Sequence, residues 1–199
     1  MGNLIFRSTN CIFNKRVLML GIDDSGKTTM LYKMKTNKIH KTIPTIGFNW
    51  ETIEFKHSYF MIYDVRGGCS KNNGLWKHYY RDMSSIIFVV NCLDRDRIDD
   101  VKFELLKILN DQIDLKNIPI LIFLNKYDKQ LLFKEDERHS YYQEYRDNPI
   151  TISELETILD LSKESINNKY NKRWHIEYSS NATGLGLNEG FEWLNKNSL

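Results

Sequence analysis

Long apolar runs are missing from this sequence. None of its 199 residues falls in a stretch approaching the roughly 20 apolar residues that a membrane-spanning helix needs. The start lacks the charged, apolar and small-residue succession of a secretory leader, so an intracellular setting is expected. Cysteine is scarce. Cys11, Cys69 and Cys92 are odd in number and scattered, without metal-ligand spacing, which argues for reduced thiols and against a disulfide framework or a zinc site. A strong charge of one sign is also missing. The net charge is +2, which gives no electrostatic footprint for a nucleic acid. What remains is 41% hydrophobic and 27% charged residues, ordinary for one folded domain with an adequate core.

The informative stretch is Gly21-Ile22-Asp23-Asp24-Ser25-Gly26-Lys27-Thr28, which fits the phosphate-binding pattern G-x-x-x-x-G-K-[ST]. The apolar run Val17-Leu18-Met19-Leu20 before it reads as a buried strand, and Thr28 to Lys35 after it reads as a helix. In that context Gly21 and Gly26 let successive N–H groups point at one anion, and the helix N-terminus adds partial positive charge. The candidate nucleotide-binding residues here are Asp23, Asp24, Ser25, Gly26, Lys27, Thr28 and Thr29. Lys27 would reach the β and γ phosphates, and the Thr28 hydroxyl would ligate Mg²⁺.

Downstream segments supply further candidates. Residues 37–47 read as a loop, within which Thr45 can give Mg²⁺ a second hydroxyl and sense a γ phosphate. Phe48 to Phe55 and Ser58 to Asp64 read as a hairpin turning at Lys56-His57. Asp64, at the end of the second strand, suits a role holding Mg²⁺ through water, and the Gly67 N–H can face the γ phosphate. Residues 68–74 are polar and glycine-rich, with a helix expected from Leu75. Ile86 to Val90 is a further buried strand and Asp94 to Leu109 an amphipathic helix.

Ile118 to Leu124 is an apolar strand running into Asn125-Lys126-Tyr127-Asp128, an N-K-x-D string. Asp128 would accept the N1–H and exocyclic amine of guanine, Asn125 would bridge base and phosphate loop, and the Lys126 stem would cover the ring. A site built on such paired hydrogen bonds discriminates steeply, because the wrong base leaves its groups unpaired. Residues 129–149 break the rhythm and read as a surface insertion. A short helix is expected over Ile152 to Leu161, capped by Ser153, and a last strand over Trp174 to Tyr178. Asn181 and Ala182, in the loop that follows, can offer N–H groups to the guanine O6, and Leu187 to Lys196 closes the chain as a helix. Strands alternating with helices predict an α/β fold, doubly wound, with the site at the strand ends.

The strings GIDDSGKTT (21–29), PTIGFNWE (44–51), LWKHY (75–79), NKYD (125–128) and EGFEWL (189–194) resemble the Arf and Arf-like branch of the Ras-type small GTPases. The likeness runs from Gly2 to Leu194 apart from the insertion. It implies a P-loop G domain over 16–199, with a mostly parallel six-stranded sheet and helices on both faces, cycling between GTP and GDP with Mg²⁺. It implies that 37–47 and 64–80 are the two switches. It also implies that the hairpin at 48–63 slides between nucleotide states and releases residues 1–15 onto membrane as an amphipathic segment. Gly2 would be exposed for myristoylation, although Phe6 stands where that pattern wants Ser or Thr. Phe48, Tyr63 and Tyr79 match the family's aromatic effector patch. Exchange factors, GTPase-activating proteins and membrane surfaces are the other implied partners, in endomembrane or ciliary transport. Within the branch, 21–29, His78-Tyr79-Tyr80, 118–121 and Trp174-His175-Ile176 resemble the ciliary subgroup that recruits the BBSome coat.

One departure bears on activity. The family reads D-V-G-G-Q after the third strand, where this chain has Asp64-Val65-Arg66-Gly67-Gly68-Cys69, with one extra residue before Leu75-Trp76. Gly68 stands where the water-orienting glutamine belongs, which leaves Lys27 and Thr45 as the catalytic candidates. Losing such positioning slows hydrolysis on the order of 100-fold or more. The expectation is therefore a slow hydrolase, or a GTP-loaded recruitment module that barely hydrolyses. A P-loop metabolite kinase is disfavoured, since it would have no use for N-K-x-D.

Overall fold

Two strands are buried at every position: β4 (Ser85–Asn91) and β5 (Ile120–Asn125). Continuous burial marks strands covered on both faces, and it places them in the middle of a parallel sheet. The computed structural model describes residues 14–68, 73–111, 113–128, 148–160 and 172–198. The expected N-terminal segment with Gly2, most of the insertion at 129–149, and Cys11, Cys69 and Ser70 lie outside the described residues.

The remaining strands are β1 (Asn14–Leu20), β2 (Phe48–Phe55), β3 (Ser58–Val65) and β6 (Trp174–Tyr178). Six strands form one sheet in the order β2-β3-β1-β4-β5-β6. β2 pairs antiparallel with β3, and every other pairing is parallel. The hairpin turns at Lys56 and His57, both at positive φ, as a tight two-residue turn requires.

Period-2 alternation sends side chains to opposite faces. Leu18, Leu20, Ile86, Phe88 and Val90 join one core, with Val101, Leu105 and Ile108 of α2 (Ile98–Asn110) and Leu155 of α3 (Ile152–Ile158). Val17, Met19, Ile87 and Val89 join the other, with Met30 and Leu31 of α1 (Lys27–Thr36) and Phe191 and Leu194 of α4 (Leu187–Asn197). Helices therefore lie on both faces. The chain leaves β1 toward α1 on one side, while β4 leads to α2 on the other. That switch in direction opens a crevice at the C-terminal ends of β1 and β4.

Three elements differ from their sequence expectations. The segment around Leu75 is a 3-10 helix, Asn73–Tyr79. The expected helix from Asp94 splits into a 3-10 turn, Arg95–Arg97, followed by α2. The cap of α3 is Thr151, whose hydroxyl accepts from the Glu154 N–H at 3.2 Å, and not Ser153, which lies inside the helix.

Lys172 is an ionisable group in the core, 3% exposed. Its ammonium donates to the carbonyls of Ile108 and Asp111, both at 2.6 Å, and so satisfies the end of α2. Burial pulls its pKa down to about 8, against the attraction of Asp111. The unfolded chain holds that proton up to about pH 10.4, so between about pH 8 and 10 the unfolded state binds more protons and stability rises with pH, by up to about 1.4 kcal/mol per unit. Urea unfolding at pH 7.5 and 9.5 should show this rise in the wild type. Lys172→Met should lack it, and because two carbonyls then lose their donor at every pH, its deficit against the wild type should be larger at pH 9.5, where the lysine is buried uncharged, than at pH 7.5.

Candidate functional site

The phosphate loop joins β1 to α1 at the crevice. Gly26 caps α1 at φ +93°, a left-handed conformation, and a β-carbon there would sit 2.5 Å from Asn125 Nδ2 and 2.9 Å from Asn181 Nδ2. Those amides approach for a reason. Asn125 Nδ2 donates to the Ser25 carbonyl at 2.8 Å and Asn181 Nδ2 to the Gly26 carbonyl at 2.9 Å. The ends of β5 and β6 are thereby stitched to the loop. Asn125 Oδ1 and Asn181 Oδ1 remain buried without a protein partner, two acceptors that suit donors on a bound base. Lys27 is buried and donates to the carbonyls of Gly21 and Ile22, each at 2.9 Å. Burial lowers its pKa to about 8, while Asp64, Asp23 and Asp24 pull it back up.

Beside it three side chains from three segments meet. Thr28 Oγ1 donates to Asp64 Oδ2 at 2.5 Å and lies 2.9 Å from Thr45 Oγ1, and Thr45 Oγ1 lies 3.5 Å from the same carboxylate oxygen. The sequence picked these three as metal residues, and the fold brings them together. Asp64 is wholly buried, which raises its pKa; the hydroxyls and Lys27 oppose the rise. Its Oδ1 has no protein partner. Two hydroxyls and a carboxylate with a spare buried acceptor are hard oxygen donors of the kind Mg²⁺ takes directly or through water, so the residues fit that ion. Among the described residues no cluster of His, Cys, Asp and Glu offers another metal site.

A cleft of about 430 Å³ opens over this junction, between the phosphate loop, residues 42–45, Arg66 and Gly67. A β-carbon on Gly67 would fall 2.6 Å from the Asp23 nitrogen, so the chain after β3 closes directly on the loop. Gly68 follows, half-buried and without a side chain to enter the cleft. Thr29 Oγ1 meets Thr42 Oγ1 at 3.1 Å, outside the metal junction.

On the base side Asp128 is 5% exposed, beside the Tyr127–Tyr178 ring pair at 4.2 Å. Lys126 lies at φ +70°, and its ammonium bonds Asp24 at 3.0 Å. Asp24 therefore turns toward the base motif rather than into the phosphate cradle. Ala182 is exposed in the turn after β6. Asp23 is held by Arg97 at 2.8 Å, a tie across 74 residues for which the sequence carries no local signal.

The aromatic candidates also assemble. Phe48 packs on Tyr79 with ring centroids 5.6 Å apart, and Tyr63 lies opposite Trp50 in the hairpin register. Ile43, Ile46 and Trp50 extend the exposed apolar surface and were not among the candidates. The alternation of β2, which puts Phe48 and Trp50 on one side, is the signal that could have found Trp50.

A phosphate loop, a strand-end aspartate and an N-K-x-D string at the same end of one sheet define a guanine-nucleotide-binding P-loop protein of the small GTPase class. The sequence model of the ADP-ribosylation factor family matches residues 4–198. ADP-ribosylation factor F of Dictyostelium discoideum is 39% identical over 186 residues, covering 93% of this chain and 86% of the relative. The solved structure of the Arl6 BBS3 small GTPase from Trypanosoma brucei, with the bound nucleotide analogue GppNp, superposes with a TM-score of 0.72 at 30% identity, covering 92% of this chain and 96% of that one. The chain belongs to the ADP-ribosylation factor family and is an Arf/Arl-type small GTPase.

Proposed function

We propose that this protein is a Mg²⁺-dependent GTP/GDP switch that recruits effectors to a membrane in its GTP state, with slow intrinsic hydrolysis. The observation that supports it most is the meeting of Thr28, Thr45 and Asp64. In this reading Thr28 and Thr45 ligate the metal directly and Asp64 holds it through water, while the metal neutralises phosphate charge. The loop from Asp23 to Thr29 cradles the phosphates, with Lys27 leaving its carbonyl partners to pair with them. Gly67 offers its N–H at the γ end. Asp128 reads guanine, Asn125 and Lys126 flank it, and Asn181 and Ala182 close on its O6.

Thr45 is the sensing element. It sits in the same segment as Ile43 and Ile46, which lead into Phe48 and Trp50, so a contact made by Thr45 at the γ phosphate orders an exposed apolar surface. Effectors would read that surface together with Tyr63 and Tyr79. Exchange factors and GTPase-activating proteins would act on the same switches. Residues 1–15, with an acylated Gly2, would supply the membrane contact, outside a G domain at 16–199. Among the described residues no helix is long and apolar enough to cross a membrane. Endomembrane or ciliary protein transport is the setting that this reading favours. Because Gly68 cannot orient water, the GTP state would persist, and in the limit the chain is a recruitment module with almost no turnover.

Flotation of the full-length protein with anionic vesicles tests this. The protein loaded with a non-hydrolysable GTP analogue should float severalfold more than the GDP form, and truncation of residues 1–13 should abolish the difference. Equal flotation of both nucleotide states would count against a membrane switch.

A further inference from the structure

The segment after β3 carries a second departure beside Gly68. Arg66 stands where the resembled motif has glycine. Its backbone is fixed at both ends: its N–H donates to the Gly47 carbonyl at 2.9 Å, and its carbonyl accepts from Trp76 Nε1 at 3.3 Å. Its side chain is not tied. Arg16, Arg81, Arg95 and Arg97 each pair with a carboxylate, and Arg173 reaches the Asn197 amide. Arg66 is the one arginine among the described residues without an ion pair or side-chain hydrogen bond, and it is exposed. It lines the same cleft as Lys27, Thr45 and Gly67. An unpartnered guanidinium on a fixed backbone, lining a cleft whose other walls include Lys27 and the phosphate loop, is placed to meet an anion there.

We propose that Arg66 is a catalytic residue acting in cis, its guanidinium stabilising the charge that develops as the γ-phosphoryl group transfers to water. The proposal rests on the guanine-nucleotide reading above and adds a residue to it. In the step, a water oxygen forms a bond to the γ phosphorus. The bond from that phosphorus to the β–γ bridging oxygen breaks, and its electron pair stays on GDP. The water proton leaves on the released phosphate. Negative charge builds on the bridging oxygen and the equatorial oxygens, and a guanidinium can bond both at once. Gly68 leaves the water poorly oriented, so Arg66 supplies one of the two usual contributions and not the other. A well-ordered arginine in this role is worth roughly 10³–10⁵ in rate. An exposed one is incompletely preorganised, and the expected effect is on the order of 100-fold.

The test uses the full-length protein loaded with a fluorescent GDP in Mg²⁺, with and without aluminium fluoride, a planar mimic of the transferring phosphoryl group. No partner protein is added. Aluminium fluoride should slow release from the wild type roughly tenfold or more, because Arg66 closes on the mimic. Arg66→Gly should show no slowing, and Arg66→Lys, which keeps the charge without the fork, an intermediate one. Release without fluoride should match in all three, which a merely structural role for Arg66 would not give. Single-turnover hydrolysis should fall on the order of 100-fold in Arg66→Gly. The proposal is overturned if the wild type shows no slowing, or if Arg66→Gly captures the mimic and hydrolyses as the wild type does. Failure of the wild type to bind the fluorescent GDP would instead bring down the guanine-nucleotide reading, and this proposal with it.

Discussion

Gly68→Gln should raise single-turnover hydrolysis of Mg·GTP on the order of 100-fold while leaving GTP affinity unchanged. The expectation follows from where Gly68 lies. Gly67 is pressed against the Asp23 backbone and fixes the path of the chain at the phosphate end of the cleft. The next residue is then the first whose side chain can reach a water in line with the γ phosphate. Glycine offers no group there, and a glutamine would hold the water by donating and accepting at once. In the proposed reading the nucleotide is held by the loop and the base motif, so binding should not move. Wild type hydrolysing as fast as the variant would mean that another residue, Cys69 or Ser70 first, positions the water.

Asp128→Asn should weaken GTP binding on the order of 10³-fold or more and transfer the preference to xanthine nucleotides. The carboxylate is nearly buried, and it can accept from both the N1–H and the exocyclic amine of guanine. Asparagine keeps the shape, so the fold should be preserved. Its NH₂ cannot accept from the exocyclic amine, whereas it can donate to the carbonyl that xanthine carries at that position. Competition between GTP and XTP for a fluorescent guanine nucleotide measures the change. Unaltered GTP affinity in the variant would remove Asp128 from base recognition.

The parts legible in the sequence were those written in local pattern. The apolar runs announced β4 and β5, and glycine, lysine and threonine at fixed offsets announced the phosphate loop between β1 and α1. The convergence of Thr28, Thr45 and Asp64 was inferable only because each segment had a motif of its own. What depends on distant partners was less visible. β1 begins at Asn14 rather than Val17, because Asn14, Lys15 and Arg16 pair with Tyr59, Phe60 and Met61 of β3, and polar residues signal no strand by periodicity. The helix expected from Asp94 starts with a 3-10 turn in which Arg97 is held by Asp94 and reaches Asp23. Thr151 outcompeted Ser153 as a cap because it stands three residues before Glu154, whose N–H it accepts. Asp24, at a left-handed φ of +57°, turns toward Lys126, a partner 102 residues away that no local pattern announces.

The most direct test of the account is competition for a fluorescent GDP by GTP and ATP, in Mg²⁺ and again in excess chelator. GTP should compete at least a thousandfold better than ATP, on the order expected of a site that pairs its buried groups with one base. The chelator should also speed nucleotide release severalfold or more, because Thr28, Thr45 and Asp64 would then lose the ion they are proposed to hold. Comparable competition by ATP, or release indifferent to Mg²⁺, would contradict it.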